Sequence, residues 1–297
     1  MRVSTYSSYL VTSQSLGTAL GRVQGIQTQL GTGKVVNSWS DDAPAAAAIE
    51  RYRSQEADWT SYAKTANDAN SWLSTADGTL QSMSSVMSRV KELAVSANSG
   101  ALTSTARKAI ADEVDQLRTE LRDMGNTTQL GRSLFGGFGA SALSTAADGT
   151  VSYAGDDGQV KRQVSPTTTV TVNVSAKDIF GFSAGSGQDL FSTLSTLSAA
   201  VRSGDSTALS NVQTTLQARH SDILSGLSAV GTRANQVDTA LAAGTTALQD
   251  LATRRSQLED VDLADAVLKL NQAQASYTAA LGAASKANLP SLADFLK

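Results

Sequence analysis

The chain has 297 residues, 41% of them hydrophobic, but only 5% aromatic and 17% charged, so Ala, Ser, Thr, Gly and Leu make up much of it. A formal net charge of −3 and a pI near 5.2 exclude an electrostatic case for nucleic acid or an anionic membrane. Cysteine is absent, which excludes disulfides and thiolate chemistry; no apolar run reaches the roughly 18 residues of a membrane span, and no cleaved signal peptide is expected.

The first predicted element is a helix whose seam runs Tyr6, Tyr9, Ser13, Leu16, Leu20, Val23, Gln27 and Leu30, stepping three and four residues. Gly17, Gly21 and Gly25 share one face of it. Each costs about 1 kcal/mol relative to Ala, so the helix is expected to form when packed, where the same spacing admits a close neighbour. Gly31-Thr32-Gly33 ends it, and Ser40-Asp41-Asp42-Ala43-Pro44 starts the next, with Asp41 and Asp42 read as capping groups rather than metal ligands.

The most regular seam follows: Tyr52, Gln55, Trp59, Tyr62, Ala66, Ala69, Leu73, Ala76, Leu80, Met83, Met87, Val90, Ala94 and Ala97, closed by Asn98-Ser99-Gly100. A second helix carries Ala106, Ile110, Val114, Leu117, Leu121 and Met124, so the two are expected to form an antiparallel hairpin that ends at Gly125-Asn126. Trp59 and Tyr62 are read as core residues of the seam.

Over 127–187 the texture changes to Gly, Thr, Ser and Val with two-residue alternation. Residues 151–153 and 160–164 flank Asp156-Asp157-Gly158 and are predicted to pair as a hairpin, with 170–174 as a third strand. Gly136-Gly137-Phe138-Gly139 lacks the lysine and the setting of a phosphate loop, and Asp156 and Asp157 lack calcium-loop spacing. Helical texture resumes after Ser186-Gly187 with Leu190, Leu194, Leu197 and Val201, then Leu209, Val212, Leu216, Ile223 and Leu227. His220 is the single histidine, which argues against metal or nucleophilic catalysis.

The last sixty residues hold the stretch that most needs a partner. Val230, Val237, Leu241, Gly244, Leu248, Leu251, Arg255 and Leu258 form one seam, and Leu263, Val267, Leu270, Gln274, Tyr277, Leu281 and Ala284 form another, offset by one residue across Glu259-Asp260-Val261-Asp262. The helix is expected to change face there. A one-sided stripe on a rod about 39 Å long cannot be buried against itself.

The expected fold class is α+β, mainly α: a long antiparallel helical bundle or coiled coil formed by both chain ends, with a small inserted β domain. Residues 1–45 and 261–297 would be terminal helices, 46–126 and 188–260 the bundle, and 127–187 the β insertion. The candidate functional residues are the terminal seams, Leu16, Leu20, Val23, Leu30, Leu263, Val267, Leu270, Tyr277 and Leu281. No catalytic constellation can be assembled, and no cofactor or metal is called for.

Several segments resemble the bacterial flagellin superfamily. Met1-Arg2-Val3-Ser4-Thr5, Leu30-Gly31-Thr32-Gly33-Lys34-Val35-Val36-Asn37-Ser38 with Asp41-Asp42, and Arg89-Val90-Lys91-Glu92-Leu93-Ala94-Val95 are similar to its N-terminal region. Gly231-Thr232-Arg233, Glu259-Asp260-Val261-Asp262-Leu263 and Leu289-Pro290-Ser291-Leu292-Ala293-Asp294-Phe295-Leu296 are similar to its C-terminal region. Within the superfamily, the Met-Arg-Val-Ser-Thr start and Gly131-Arg132-Ser133-Leu134-Phe135-Gly136-Gly137, followed by Tyr153-Ala154-Gly155-Asp156, resemble hook-filament junction proteins more than filament subunits. Ser133 stands where the family usually has an aromatic.

The resemblance implies an extracellular structural component of the flagellum, exported through the flagellar pathway with the help of a chaperone. It would self-associate in a ring and meet hook-associated protein 1 on one side and flagellin on the other. The alternatives are a flagellin filament subunit and, more distantly, a cytosolic coiled-coil adaptor.

Overall fold

The computed structural model describes residues 2–98, 102–184 and 187–287. Seven helices and six short strands occupy them. The helices are α1 (Arg2–Thr32), α2 (Ala43–Ala97), α3 (Ser104–Gly125), α4 (Ala176–Ile179), α5 (Leu190–Ser203), α6 (Ser206–Glu259) and α7 (Leu263–Ala287). The strands are β1 (Thr128–Gln129), β2 (Arg132–Ser133), β3 (Leu143–Thr145), β4 (Val151–Tyr153), β5 (Lys161–Gln163) and β6 (Thr169–Thr171). Mainly α with a small β component is the class expected from the sequence. Ser99, Gly100, Ser186 and the segment 289–296 lie outside the described residues.

The chain forms two compact units, Met1–Asp58 with Ala247–Lys297, and Trp59–Thr246. In the second unit the seam of α2 is buried from Ala66 to Ala97, with Leu73, Leu80, Met83, Met87 and Val90 fully enclosed. Val114 and Leu121 of α3, Leu194, Leu197 and Val201 of α5, and Leu216, Ile223, Val230 and Val237 of α6 join the same core. Each such side chain contributes about 1.5–3 kcal/mol by leaving water. The helix ends are capped. Thr103 Oγ1 accepts from Ala106 N at 3.2 Å, Asp189 Oδ1 from Ser192 N at 3.0 Å, and Gly204, at φ 74°, closes α5.

The strands make three two-stranded antiparallel pairs, β1 with β2, β3 with β4, and β5 with β6. Residues 151–153 therefore pair with 143–145, not with 160–164 as predicted. The reason lies in Asp156. Its carboxylate accepts from Phe138 N at 2.8 Å and Gly158 N at 2.9 Å, while Tyr153 Oη donates to its carbonyl at 2.5 Å, so this segment wraps the 136–139 loop instead of turning back. The β3–β4 turn is made by Asp148 and Gly149, whose φ is 84°. Leu134, Phe135, Val151, Val164, Val170, Val172 and Phe180 are buried in the core the helices share, so the strands do not enclose a core of their own.

Two further differences concern the ends of the chain. The stretch across Glu259-Asp260-Val261-Asp262 is a break between two helices, and Asp262 caps the second, its Oδ1 accepting from Ala264 N at 2.9 Å and Asp265 N at 3.2 Å. Around Gly17, Gly21 and Gly25 no described residue lies within 4 Å of where a Cβ would stand, so no backbone among the described residues uses the close approach they permit.

Candidate assembly surface

The first unit is built from both ends of the chain. A capped loop, 33–42, follows α1: Asp41 Oδ2 accepts from Asn37 N at 3.0 Å and Ser38 N at 2.8 Å, and Asp42 Oδ1 accepts from Ala45 N at 2.9 Å to start α2. The backbone hydrogen bonds to Asn37, then to Ser38, hold the Asp41 carboxyl below the usual aspartate range. Both aspartates thus serve as backbone acceptors.

The loop is stitched to the α6–α7 break. Val35 N donates to Glu259 O at 2.7 Å, Val261 N donates to Gly33 O at 3.0 Å, and Lys34 and Asp260 form an antiparallel bridge. The chain thereby enters α7 beside the point where it left α1, so the two terminal helices run antiparallel and pack on each other.

Beneath this stitch lies Glu259, with 1% of its side chain exposed. Lys34 Nζ reaches it at 2.5 Å, Arg53 Nη2 at 2.6 Å and Arg255 Nη1 at 3.0 Å. Burial alone would raise its carboxyl, but the bonds from Lys34, Arg255 and Arg53 outweigh that and hold it at about 2. Arg255 also binds Glu56 at 3.1 Å, which ties α2 into the same network. A buried carboxylate with three cationic donors is strongly specified in position, because turning it away from them would leave a buried charge unpaired.

On α1 the covered face is Thr12, Leu16, Ala19, Val23, Ile26 and Leu30; on α7 it is Ala266, Leu270, Ala273, Tyr277, Ala280 and Ala284. Both step four and three, the spacing of packed helices. Of the candidate seam residues, Val23 is buried, and Leu16, Leu30, Leu270 and Tyr277 are half-buried on this side. Leu20 at 39%, Leu263 at 60%, Val267 at 48% and Leu281 at 41% remain exposed. The sequence seam therefore merges two adjacent stripes, one covered within the chain and one open. Sequence reasoning passed over Ala19, Ala266, Ala273 and Ala280, small residues that let the two helices approach; the seven-residue spacing of the three on α7 was the available signal.

Tyr9, Leu10, Val11 and Leu268 are exposed as well. Beside it a groove of about 430 Å³ is lined by Arg22, Gly25, Ile26, Lys269, Ala273 and Ser276 among others. An exposed apolar band of this kind is the usual mark of an interaction surface. No helix among the described residues is long and apolar enough to cross a membrane.

The other residues singled out from the sequence lie in the second unit. Trp59 and Tyr62 meet edge to face, with ring centroids 5.9 Å apart. His220 Nε2 lies 3.0 Å from Ser84 Oγ and its Nδ1 3.4 Å from Lys91 Nζ. Burial, then the Lys91 charge, push the imidazole below its ordinary value. An ammonium can only donate to Nδ1, so Nε2 carries the ring proton and donates to Ser84, an arrangement that cannot activate the hydroxyl as a nucleophile. Among the described residues no group of three or more His, Asp or Glu side chains could hold a metal ion.

Comparison with known proteins adds the following. Residues 3–139 match the bacterial flagellin N-terminal helical region. Flagellin B of Vibrio cholerae is 31% identical over 150 residues, which is 50% of this chain and 40% of that protein; the chain thus spans about two fifths of the relative it matches.

Solved structures share the fold. A Vibrio parahaemolyticus structure, provisionally described as a flagellar hook-associated protein, superposes with a TM-score of 0.69 at 18% identity, over 74% of this chain and 100% of that one. Flagellar hook-associated protein 3 of Legionella pneumophila superposes with a TM-score of 0.64 at 17% identity, over 71% of this chain and 98% of that one. The fold is that of these flagellar proteins.

Proposed function

We propose that this chain is a structural protein of the bacterial flagellum that joins hook to filament as an adaptor ring, with hook-associated protein 1 on the hook side and flagellin on the filament side. The observation that carries the reading is the likeness of fold to hook-associated protein 3 over nearly all of that structure. The exposed stripe of Leu20, Leu263, Val267 and Leu281 supports it, since terminal helices that remain half-covered in one copy gain a partner in a ring of copies. Export through the flagellar pathway, assisted by a chaperone for the C-terminal region, and a final place outside the cell belong to the same reading.

A second reading, a filament subunit, is favoured by the flagellin identity of the N-terminal half. Seeded growth separates the two. A junction protein meets unlike neighbours on its two axial faces and stops after a short ring, whereas a filament subunit repeats one contact and grows without limit. Purified protein added to filament seeds is expected not to elongate them; long filaments would establish the second reading.

A further inference from the structure

We propose that Leu130 is a contact knob that seats in a groove of a second copy of this chain, the groove lined by Trp59, Pro166, Thr239, Ala240 and Ala243. The proposal rests on the reading that the chain assembles with copies of itself. Its starting point is an anomaly: among the described residues Leu130 is the only non-glycine with positive φ, at 51°, and it is 88% exposed.

It occupies the first place of the two-residue turn Leu130-Gly131 that joins β1 to β2, and Gly131 follows at φ 76°. Turns with both residues left-handed are satisfied by Asn-Gly; a leucine there carries backbone strain, because its Cβ crowds the neighbouring carbonyl. At 88% exposure, no contact among the described residues offsets that strain. A strained backbone position that holds a bare isobutyl group in water is a feature of contact, not of folding.

The turn is also held firmly. Gln129 Nε2 donates to Ser71 Oγ at 3.0 Å, Leu134 N donates to Thr127 O at 3.0 Å, and Ser133, Leu134 and Phe135 root the hairpin in the core. The knob is thus presented in one geometry, which lowers the entropy lost on docking.

The receiving surface belongs to the same unit. A groove of about 990 Å³ lies between the 165–169 loop, α6 and Trp59, and none of the residues lining it is ionisable. The tip Thr128-Gln129-Leu130-Gly131 carries no charge either, so neither side must strip water from an ion when they meet. Knob and groove are on different elements. A copy that gives its knob to the next keeps its own groove open for the one before, a head-to-tail contact that closes into a ring when the rotation permits.

Because the chain has no cysteine, the contact can be read directly in flagella from cells that express Leu130→Cys with Thr239→Cys, treated with a short bismaleimide. A ladder of linked copies is expected from the double variant and none from either single variant. Leu130→Asn should melt about 2 °C higher, since asparagine tolerates the turn, yet fail to enter flagella. If the protein is present in flagella without a ladder, or if Leu130→Asn enters as well as the native chain, the contact is refuted while the ring reading stands. A link to a different flagellar protein refutes the second copy as occupant, and absence of the native chain from flagella refutes the ring reading and this inference together.

Discussion

The guanidinium of Arg219 lies over the backbone of Gly181 so closely that a Cβ on that glycine would overlap Arg219 Nη1. Arg219 is 9% exposed and its Nη1 is 3.1 Å from Asp222, so it cannot swing aside without losing that ion pair. Gly181 also stands at φ 73°, which disfavours any side chain. The contact holds the loop after α4 against α6 in the core of the second unit.

Gly181→Ala is therefore expected to destabilise by about 3 kcal/mol, the sum of backbone strain and displacement of a buried cation. Gly187→Ala is the control, because Gly187 shares the positive φ, at 80°, but has no described residue within 4 Å of a Cβ. It should cost about 1 kcal/mol. Equal losses in thermal unfolding would show that Arg219 does not press on Gly181.

Glu259 gives a pH dependence with a definite sign. Its carboxyl is held at about 2 in the folded chain against 4.5 for a free one. A depressed pKa stabilises above the unfolded value, so the contribution is complete above about pH 4.5 and lost as pH falls toward about 2; it amounts to about 3 kcal/mol before allowance for the half-exposed Lys34 and Arg53. Protection of the Val35 and Val261 amides, which close the stitch, measured as exchange relative to the free-chain rate at the same pH, should fall through that window. Glu259→Gln should show low protection already at pH 7. Protection independent of pH between 7 and 3 in the native chain would contradict the assignment.

Variants on the two stripes of α7 should differ in kind. Leu281 is exposed, so Leu281→Asp is expected to leave the α1–α7 pairing intact and abolish incorporation into flagella, because assembly would bury an unpaired charge at a cost of several kcal/mol. Leu270 is half-buried on the covered face, so Leu270→Asp should loosen the helix pair in the monomer as well. Helicity by circular dichroism and recovery of the protein in purified flagella measure the two effects. Normal incorporation of Leu281→Asp would remove the open stripe from the assembly surface.

How far the sequence was legible depended on what kind of residue carried the signal. The seam from Ala66 to Ala97 was readable because Leu, Met and Val recur on one face over nine turns, and its burial follows. On α7 the covered face alternates Leu270 and Tyr277 with Ala266, Ala273 and Ala280, and alanine does not stand out in an alanine-rich chain; the eye takes the larger Val267 and Leu281 one position on. The Asp156 turn misled for another reason. Asp-Asp-Gly between two valine-rich runs reads as a hairpin, but its carboxylate is claimed by Phe138 N, eighteen residues away, which no local pattern reveals. Glu259 was visible as part of a family-like segment, whereas its role required Lys34 and Arg53, contributed from the other end of the chain.

Deletion of the gene tests most directly whether this chain joins hook to filament. Cells without it should carry hooks that bear no filament and should release intact flagellin into the medium, because the filament subunits lose the ring on which they begin. Cells that lack filaments but secrete no other filament protein would contradict the claim and identify the chain as the filament subunit itself.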